Sequence, residues 1–208
     1  MRPVLPTSAD PTAQILATGL AGRSYLDLGD DARLAHGRVH EVTGHGADVF
    51  AVLAAAHWQR DTVWIGLKRD QETLCPMGLQ AYIDPARVLL VQGVSHGELI
   101  WAAEQVLRAE GAFCVVLDLP GGLSLNTSRR LQLCAEQSGA LGLVLVRGRP
   151  ETSASQTRWQ CTPVAGDEPA WLWQCIKGRQ GEKGAWKVHF RGGQNAKDTL
   201  HLAATAAA

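Results

Sequence analysis

The sequence is poor in the features that would mark a membrane, a secreted or a metal-binding protein. Apolar residues make up 46% of the chain, yet charges interrupt them throughout. No stretch approaches the roughly 18 to 20 residues that span a bilayer as a helix. The first ten residues carry one Arg, two Pro and no apolar run, so they lack the parts of a secretory signal, and the chain reads as soluble and cytoplasmic. No Cys-x-x-Cys pair occurs among the five cysteines (Cys75, Cys114, Cys134, Cys161, Cys175). Three of them lie inside apolar runs and read as small core residues of a reduced protein, with no metal or thiol-nucleophile role. The seven histidines are scattered, and His40, His45 and His57, near one another in sequence, lack the i, i+4 spacing of a zinc helix. Net charge is lacking as well. Twenty Lys/Arg balance twenty Asp/Glu, which argues against wholesale electrostatic binding to nucleic acid. The balance is local, because residues 147–208 hold nine cations against five anions.

The 208 residues suit one α/β domain. We read residues 1–12, with three prolines, as a loose arm, 13–191 as the domain, and 192–208 as a flexible tail or short helix. Residues 23–35 read as loop. Arg38–Val42 alternates like a strand and is followed by Gly44, Gly46 and a helical pattern through Val49, Val52, Leu53 and Ala56. Runs at 62–67, 88–91, 112–118 and 141–146 do not alternate, as expected of strands covered on both faces. Ser95 and Glu98 have capping-box spacing, and Thr127 or Ser128 can start a further helix. Strands alternating with helices imply a mostly parallel sheet. Short alternating strands near 157–164, 170–176 and 185–190 then predict an antiparallel hairpin extension at the C-terminal end.

The strand, glycine turn and helix at Glu41–Phe50 stand where a phosphate-binding P-loop would. Such a loop needs glycines whose amides wrap phosphate, a Lys for the β and γ phosphates, and a hydroxyl for magnesium. Here the loop is shortened and the Lys and hydroxyl positions have no counterpart. Asp48 instead sits in the first helical turn, where it suits the helix N-terminus and repels phosphate. Asp118 closes its strand at a position compatible with magnesium, but an Asp there more commonly caps a turn. We therefore expect no nucleotide cofactor and no ATPase.

The lead-in Leu16–Leu20, Tyr25–Gly29 and Gly37–Val42 before Gly44 resembles that of RecA proteins. Trp64-Ile65, Asp84–Val91, Leu99–Glu104, Val116–Leu119, Ser128–Leu133, Thr157–Trp159 and the late hairpin to Trp186 resemble the ImuA family. ImuA proteins are RecA-like accessory proteins of bacterial damage-induced mutagenesis cassettes. The resemblance implies a RecA-like sheet flanked by helices and a non-catalytic scaffold role in translesion synthesis. Implied partners are an ImuB-like inactive polymerase, the error-prone replicative-type polymerase, RecA and DNA; RecA relatives also form homo-oligomers. Two departures stand out: the glycine-rich lead-in is replaced by 29–36, and Gly66-Leu67-Lys68 lacks the catalytic glutamate. The rival reading is a SulA-like cell-division inhibitor, also nucleotide-free, that binds the tubulin-like division protein.

The partner-binding candidates are Lys177, Arg179, Lys183, Trp186, Lys187 and Arg191 of the late hairpin, with Arg129 and Arg130. Alternation places Trp186, Val188 and Phe190 on one strand face and Lys187, His189 and Arg191 on the other. The tryptophans are then core and the cations solvated, or the cations form a docking surface for an acidic segment or DNA backbone. Arg129 and Arg130 are expected to open a helix, against its dipole, and Trp101, Glu104 and Arg108 share the polar face of another.

Overall fold

Aliphatic runs such as Leu141–Val146, with no polar residue to turn outward, fold stably only where both sheet faces are covered. They occupy the middle of this structure, a computed structural model that describes residues 24–68, 74–179, 182–190 and 200–204. The elements follow in chain order: β1 (Tyr25–Gly29), β2 (Ala32–Ala35), β3 (Arg38–Thr43), α1 (Ala47–Trp58), β4 (Thr62–Leu67), α2 (Pro76–Leu79) and β5 (Val88–Gly93). Next come α3 (His96–Arg108), β6 (Cys114–Leu119), α4 (Leu125–Ser138), β7 (Leu141–Val146), β8 (Thr157–Val164), β9 (Ala170–Gly178), β10 (Gly184–Phe190) and β11 (Leu200–Ala204). The predicted arm at 1–12, the apolar stretch at 13–20 and Arg191 lie outside the described residues.

Among the described residues the main sheet has the order β11-β10-β9-β8-β3-β7-β6-β4-β5. From β8 to β5 the strands are parallel, and β9, β10 and β11 continue the sheet antiparallel. This is the mostly parallel, helix-flanked α/β sheet with an antiparallel C-terminal extension that the sequence predicts. One face packs on α1 through Val42, Trp64, Val116 and Leu143. The other packs on α3 and α4 through Val39, Ile65, Leu117 and Val144.

Five details differ from the sequence reading. Leu200–Ala204, expected within a flexible tail or short helix, instead form β11 along β10. Residues 25–35 are not loop but the hairpin β1–β2, which buries Leu26, Leu28, Ala32 and Leu34. Its turn holds Asp30 and Asp31 at φ 45° and 63°, a left-handed pair that Asp tolerates but that carries no Asn-Gly or Asp-Gly signal. That hairpin packs into the same core as α1, so the helix buries Phe50, Ala51, Leu53 and Ala54 and is not limited to one stripe. Strand β8 is parallel to β3 on one side while antiparallel to β9 on the other. Finally, α4 begins at Leu125, with Ser124 as its cap: its hydroxyl accepts the Thr127 N–H at 3.2 Å. Arg129 and Arg130 therefore lie in the second turn, past the strongest part of the dipole. The Ser95 cap is present, and Glu98 reaches back to the Val94 N–H at 2.9 Å. Of the five cysteines, Cys75 is exposed and the others are buried thiols. No described helix is long and apolar enough to cross a membrane.

His40 of β3 is fully buried under the β1–β2 hairpin. Its Nε2 lies 3.1 Å from the Ala35 carbonyl, so that nitrogen carries the proton and Nδ1 accepts from the Thr157 hydroxyl at 2.6 Å. The Thr157 oxygen in turn accepts the Trp159 indole N–H at 2.8 Å. Burial pushes the imidazole down to about 4 from an ordinary 6.5. The sign follows from linkage: below pH 6.5 the unfolded chain takes a proton that the folded one refuses. Stability is therefore intact above that pH and falls as pH drops from 6.5 to about 4. The full loss is about 3 kcal/mol, on the scale of 1.36 kcal/mol per tenfold in proton affinity. Urea titrations at pH 7.5 and 4.5 should differ by most of that amount. In His40→Gln the gap should shrink, and an unchanged gap would assign the acid loss elsewhere.

Candidate functional site

The site begins at the end of β3, where the chain must turn sharply to enter α1. Gly44 makes the turn at φ +90°, and a Cβ there would stand 2.3 Å from the Cys161 carbonyl oxygen. Two residues on, the Gly46 N–H donates to that same oxygen at 3.0 Å. A Cβ on Gly46 would meet the Trp171 ring at 2.8 Å. The Thr43 hydroxyl donates to the Trp159 carbonyl at 3.1 Å. Two glycines thus let the turn lie directly on β8 and β9. In a phosphate loop such amides point at the anion; here the Gly46 amide is spent on a strand carbonyl.

The first turn of α1 has no side-chain cap, and Asp48 is its acidic residue. Strand β7 ends beside it. The Arg147 N–H continues the ladder to the Leu119 carbonyl at 3.0 Å, which sets this arginine at the carboxyl edge between β6 and α1. Its guanidinium is bidentate to both neighbours. Nε and Nη2 donate to Asp118 at 2.7 Å each, and Nη1 donates to the other carboxylate, Asp48, at 2.8 Å. Side-chain exposure is 35% for Arg147, 48% for Asp48 and 18% for Asp118, so solvent screens the bridge and each pair contributes on the order of 1 kcal/mol or less. The two carboxylates hold Arg147 protonated well above the ordinary arginine range. Asp118 therefore faces a guanidinium of its own chain. Sequence reasoning weighed Asp48 and Asp118 separately and missed Arg147. Its signal was positional: residues just past the ends of adjacent parallel strands meet at the sheet edge.

The predicted partner-binding residues do not form one surface. Trp186 is a core residue, 7% exposed, its ring tilted against that of Trp159 at 5.3 Å, with its indole N–H donated to the Asp30 carbonyl at 2.7 Å. Lys187 is on the opposite strand face, as alternation predicts, and Lys183 is exposed. Lys177 is tied inward: Nζ donates to the Ser153 carbonyl at 2.7 Å, and burial lowers its affinity for a proton. Arg130 is paired with Glu104, linking α4 to α3. Glu104 is thus buried rather than on a free polar face, whereas Trp101 is 64% exposed. Arg108 points Nε at the Cys134 sulfur, 3.1 Å away. Arg129 and Arg179, fifty residues apart in sequence, line one concavity together with Arg38.

No protein-family profile matches the chain. Among curated proteins it is 26% identical over 179 residues to Protein ImuA of Caulobacter vibrioides (strain NA1000 / CB15N), a match covering 71% of this chain and 72% of that protein. Protein ImuA of Caulobacter vibrioides strain ATCC 19089 / CIP 103742 / CB 15 matches with the same identity and coverage.

Proposed function

We propose that this chain is a non-catalytic, RecA-like accessory protein of a DNA-damage-induced translesion-synthesis assembly. In this reading it binds an ImuB-like inactive polymerase, and RecA, the error-prone replicative-type polymerase and DNA are its further candidate partners. The distant similarity to Protein ImuA supports the setting. The observation that carries the non-catalytic part is Arg147 clasping Asp48 and Asp118. A P-loop enzyme brings cations and amides to that edge for a triphosphate, and keeps the strand-end carboxylate for magnesium. Here the carboxylates already share an internal guanidinium, and the turn's Gly46 amide is engaged by Cys161. An arriving triphosphate would meet negative charge and a closed loop.

Affinity capture tests the reading. Tagged chain should retain an ImuB-like protein from a damage-induced lysate, and calorimetric titration with magnesium-ATP should give no saturable heat up to about 1 mM, the bottom of the useful affinity range. Retention of the tubulin-like division protein in place of the polymerase relative would favour the SulA-like alternative. Saturable ATP binding would end the non-catalytic reading.

A further inference from the structure

A second concavity of about 480 Å³ opens at the amino edge of the sheet, across the molecule from the closed turn. Its floor comes from α4 and from the crossing segment between β7 and β8. Gln132, 8% exposed, gives its carbonyl to the Val39 N–H at 3.0 Å, and its amide NH2 makes no hydrogen bond among the described residues. Gln156, 4% exposed, is fixed by its own N–H to the Val39 carbonyl at 2.8 Å and by its side-chain amide to Glu182 at 3.0 Å. These buried, hydrogen-bonded amides make a preformed floor. On the walls, Arg38 is paired with Glu136 at 2.7 Å. Arg129 and Arg179 are exposed and have no ion-pair partner among the described residues. Leu133, also on α4, lines the same concavity and is 59% exposed.

We infer that this concavity is a docking site for an acidic peptide segment carrying an aliphatic residue. Three arginines against one glutamate leave the lining two charges positive, and the uncompensated pair, Arg129 and Arg179, is what an aspartate or glutamate would reach. The Leu133 side chain supplies the apolar contact such a segment would cover. The volume is that of a pocket for a few side chains. A nucleic-acid backbone fits less well, because the lining carries the Glu136 carboxylate, which would repel a phosphate, beside its arginines. The site names a ligand class for a surface that the proposed function needs, but its test involves no member of that assembly. Its failure would leave the assembly reading standing.

The test is an NMR titration of the full chain with a capped hexapeptide alternating aspartate and leucine, against a hexapeptide of alternating lysine and leucine and against dodecathymidylate. The expected result is saturable, millimolar-range shifts of the Leu133 methyls and of the Arg129 and Arg179 Nε–H signals with the acidic peptide alone. Arg129→Glu with Arg179→Glu should weaken that binding at least tenfold. Arg149→Glu, an exposed cation away from the hollow, should leave it within twofold. Because both target arginines are exposed and have no ion-pair partner among the described residues, the double variant should keep its fold, which the unchanged remainder of the spectrum would establish. Absence of saturable shifts, equal response to the basic peptide, or stronger perturbation of the same signals by the thymidylate would each overturn the inference.

Discussion

Gly44→Ala should cost this protein about 3 kcal/mol or more, a very large effect for one methyl group. Two costs add. A non-glycine residue in the left-handed region loses about 1 to 2 kcal/mol, and at φ +90° alanine is further still from its allowed well. The new Cβ would also stand 2.3 Å from the Cys161 carbonyl oxygen, a backbone atom that cannot rotate away. Relief requires the turn to lift off β8, which breaks the Gly46 N–H to Cys161 bond and sacrifices about 1 kcal/mol more. For a chain of this size each kcal/mol moves the midpoint by about 2 to 4 °C, so thermal unfolding should begin roughly 6 to 12 °C earlier. Gly97→Ala is the matched control. It lies in α3 with nothing within 4 Å of a built Cβ, and alanine there should be neutral or slightly stabilising. If Gly44→Ala melts with the parent, the turn is not pressed on β8 and the closed-loop description is wrong.

The same glycine shows how far the sequence could be read. That a strand, a glycine turn and a helix occur at 38–58 was legible, because Arg38–Val42 alternates and the helix carries apolar residues at the right spacing. That the turn lacked a phosphate-binding lysine and hydroxyl was legible by inspection. What it does instead was not. Gly44 and Gly46 touch Cys161 and Trp171, more than a hundred residues away, and no local pattern encodes which strand will lie alongside β3. The parallel pairing of β8 escaped for the same reason. Its residues alternate as any half-exposed strand does, and alternation reports faces rather than neighbours. Hence the face of Trp186 and Lys187 came out correctly, while the role of Trp186 stayed open until its ring was seen against Trp159. The β1–β2 hairpin was missed because its strands are short and its turn is Asp-Asp.

The cations divide along the same line. Composition located an excess of positive charge after residue 146, but charge counting cannot distinguish a cation that is spent from one that is available. Arg147 is spent on two carboxylates, Arg158 on a buried one, and Lys177 on a backbone carbonyl. Among the residues singled out from sequence, Arg129 and Arg179 are exposed without an ion-pair partner among the described residues. They converge only because α4 and the end of β9 meet at the amino edge of the sheet. The two ends of the parallel sheet thus differ in kind: at the carboxyl edge Asp48 and Asp118 share Arg147, one cation against two anions, and at the amino edge Arg129 and Arg179 have no ion-pair partner among the described residues.

Arg158→Ala should be among the most damaging substitutions in the molecule, costing about 3 to 5 kcal/mol, the usual penalty for stranding a buried charge. Glu41 lies in β3, 1% exposed at its side chain, and the Arg158 Nε donates to it at 2.6 Å. The same guanidinium reaches the Glu151 carbonyl and the Ser153 hydroxyl, tying the segment between β7 and β8 to the sheet. Alanine would leave the carboxylate facing a void, with Lys177, held at the Ser153 carbonyl, as the nearest alternative cation. The expected midpoint shift is about 10 °C or more. A paired replacement separates the cost of a stranded charge from the worth of the ion pair itself. In E41M/R158M both charges are gone and two unbranched side chains fill similar volume, so most of the loss should be recovered, as buried pairs generally offset their own desolvation only narrowly. A double variant no more stable than Arg158→Ala would mean that the contacts to Glu151 and Ser153, rather than the charge on Glu41, hold the crossing segment in place.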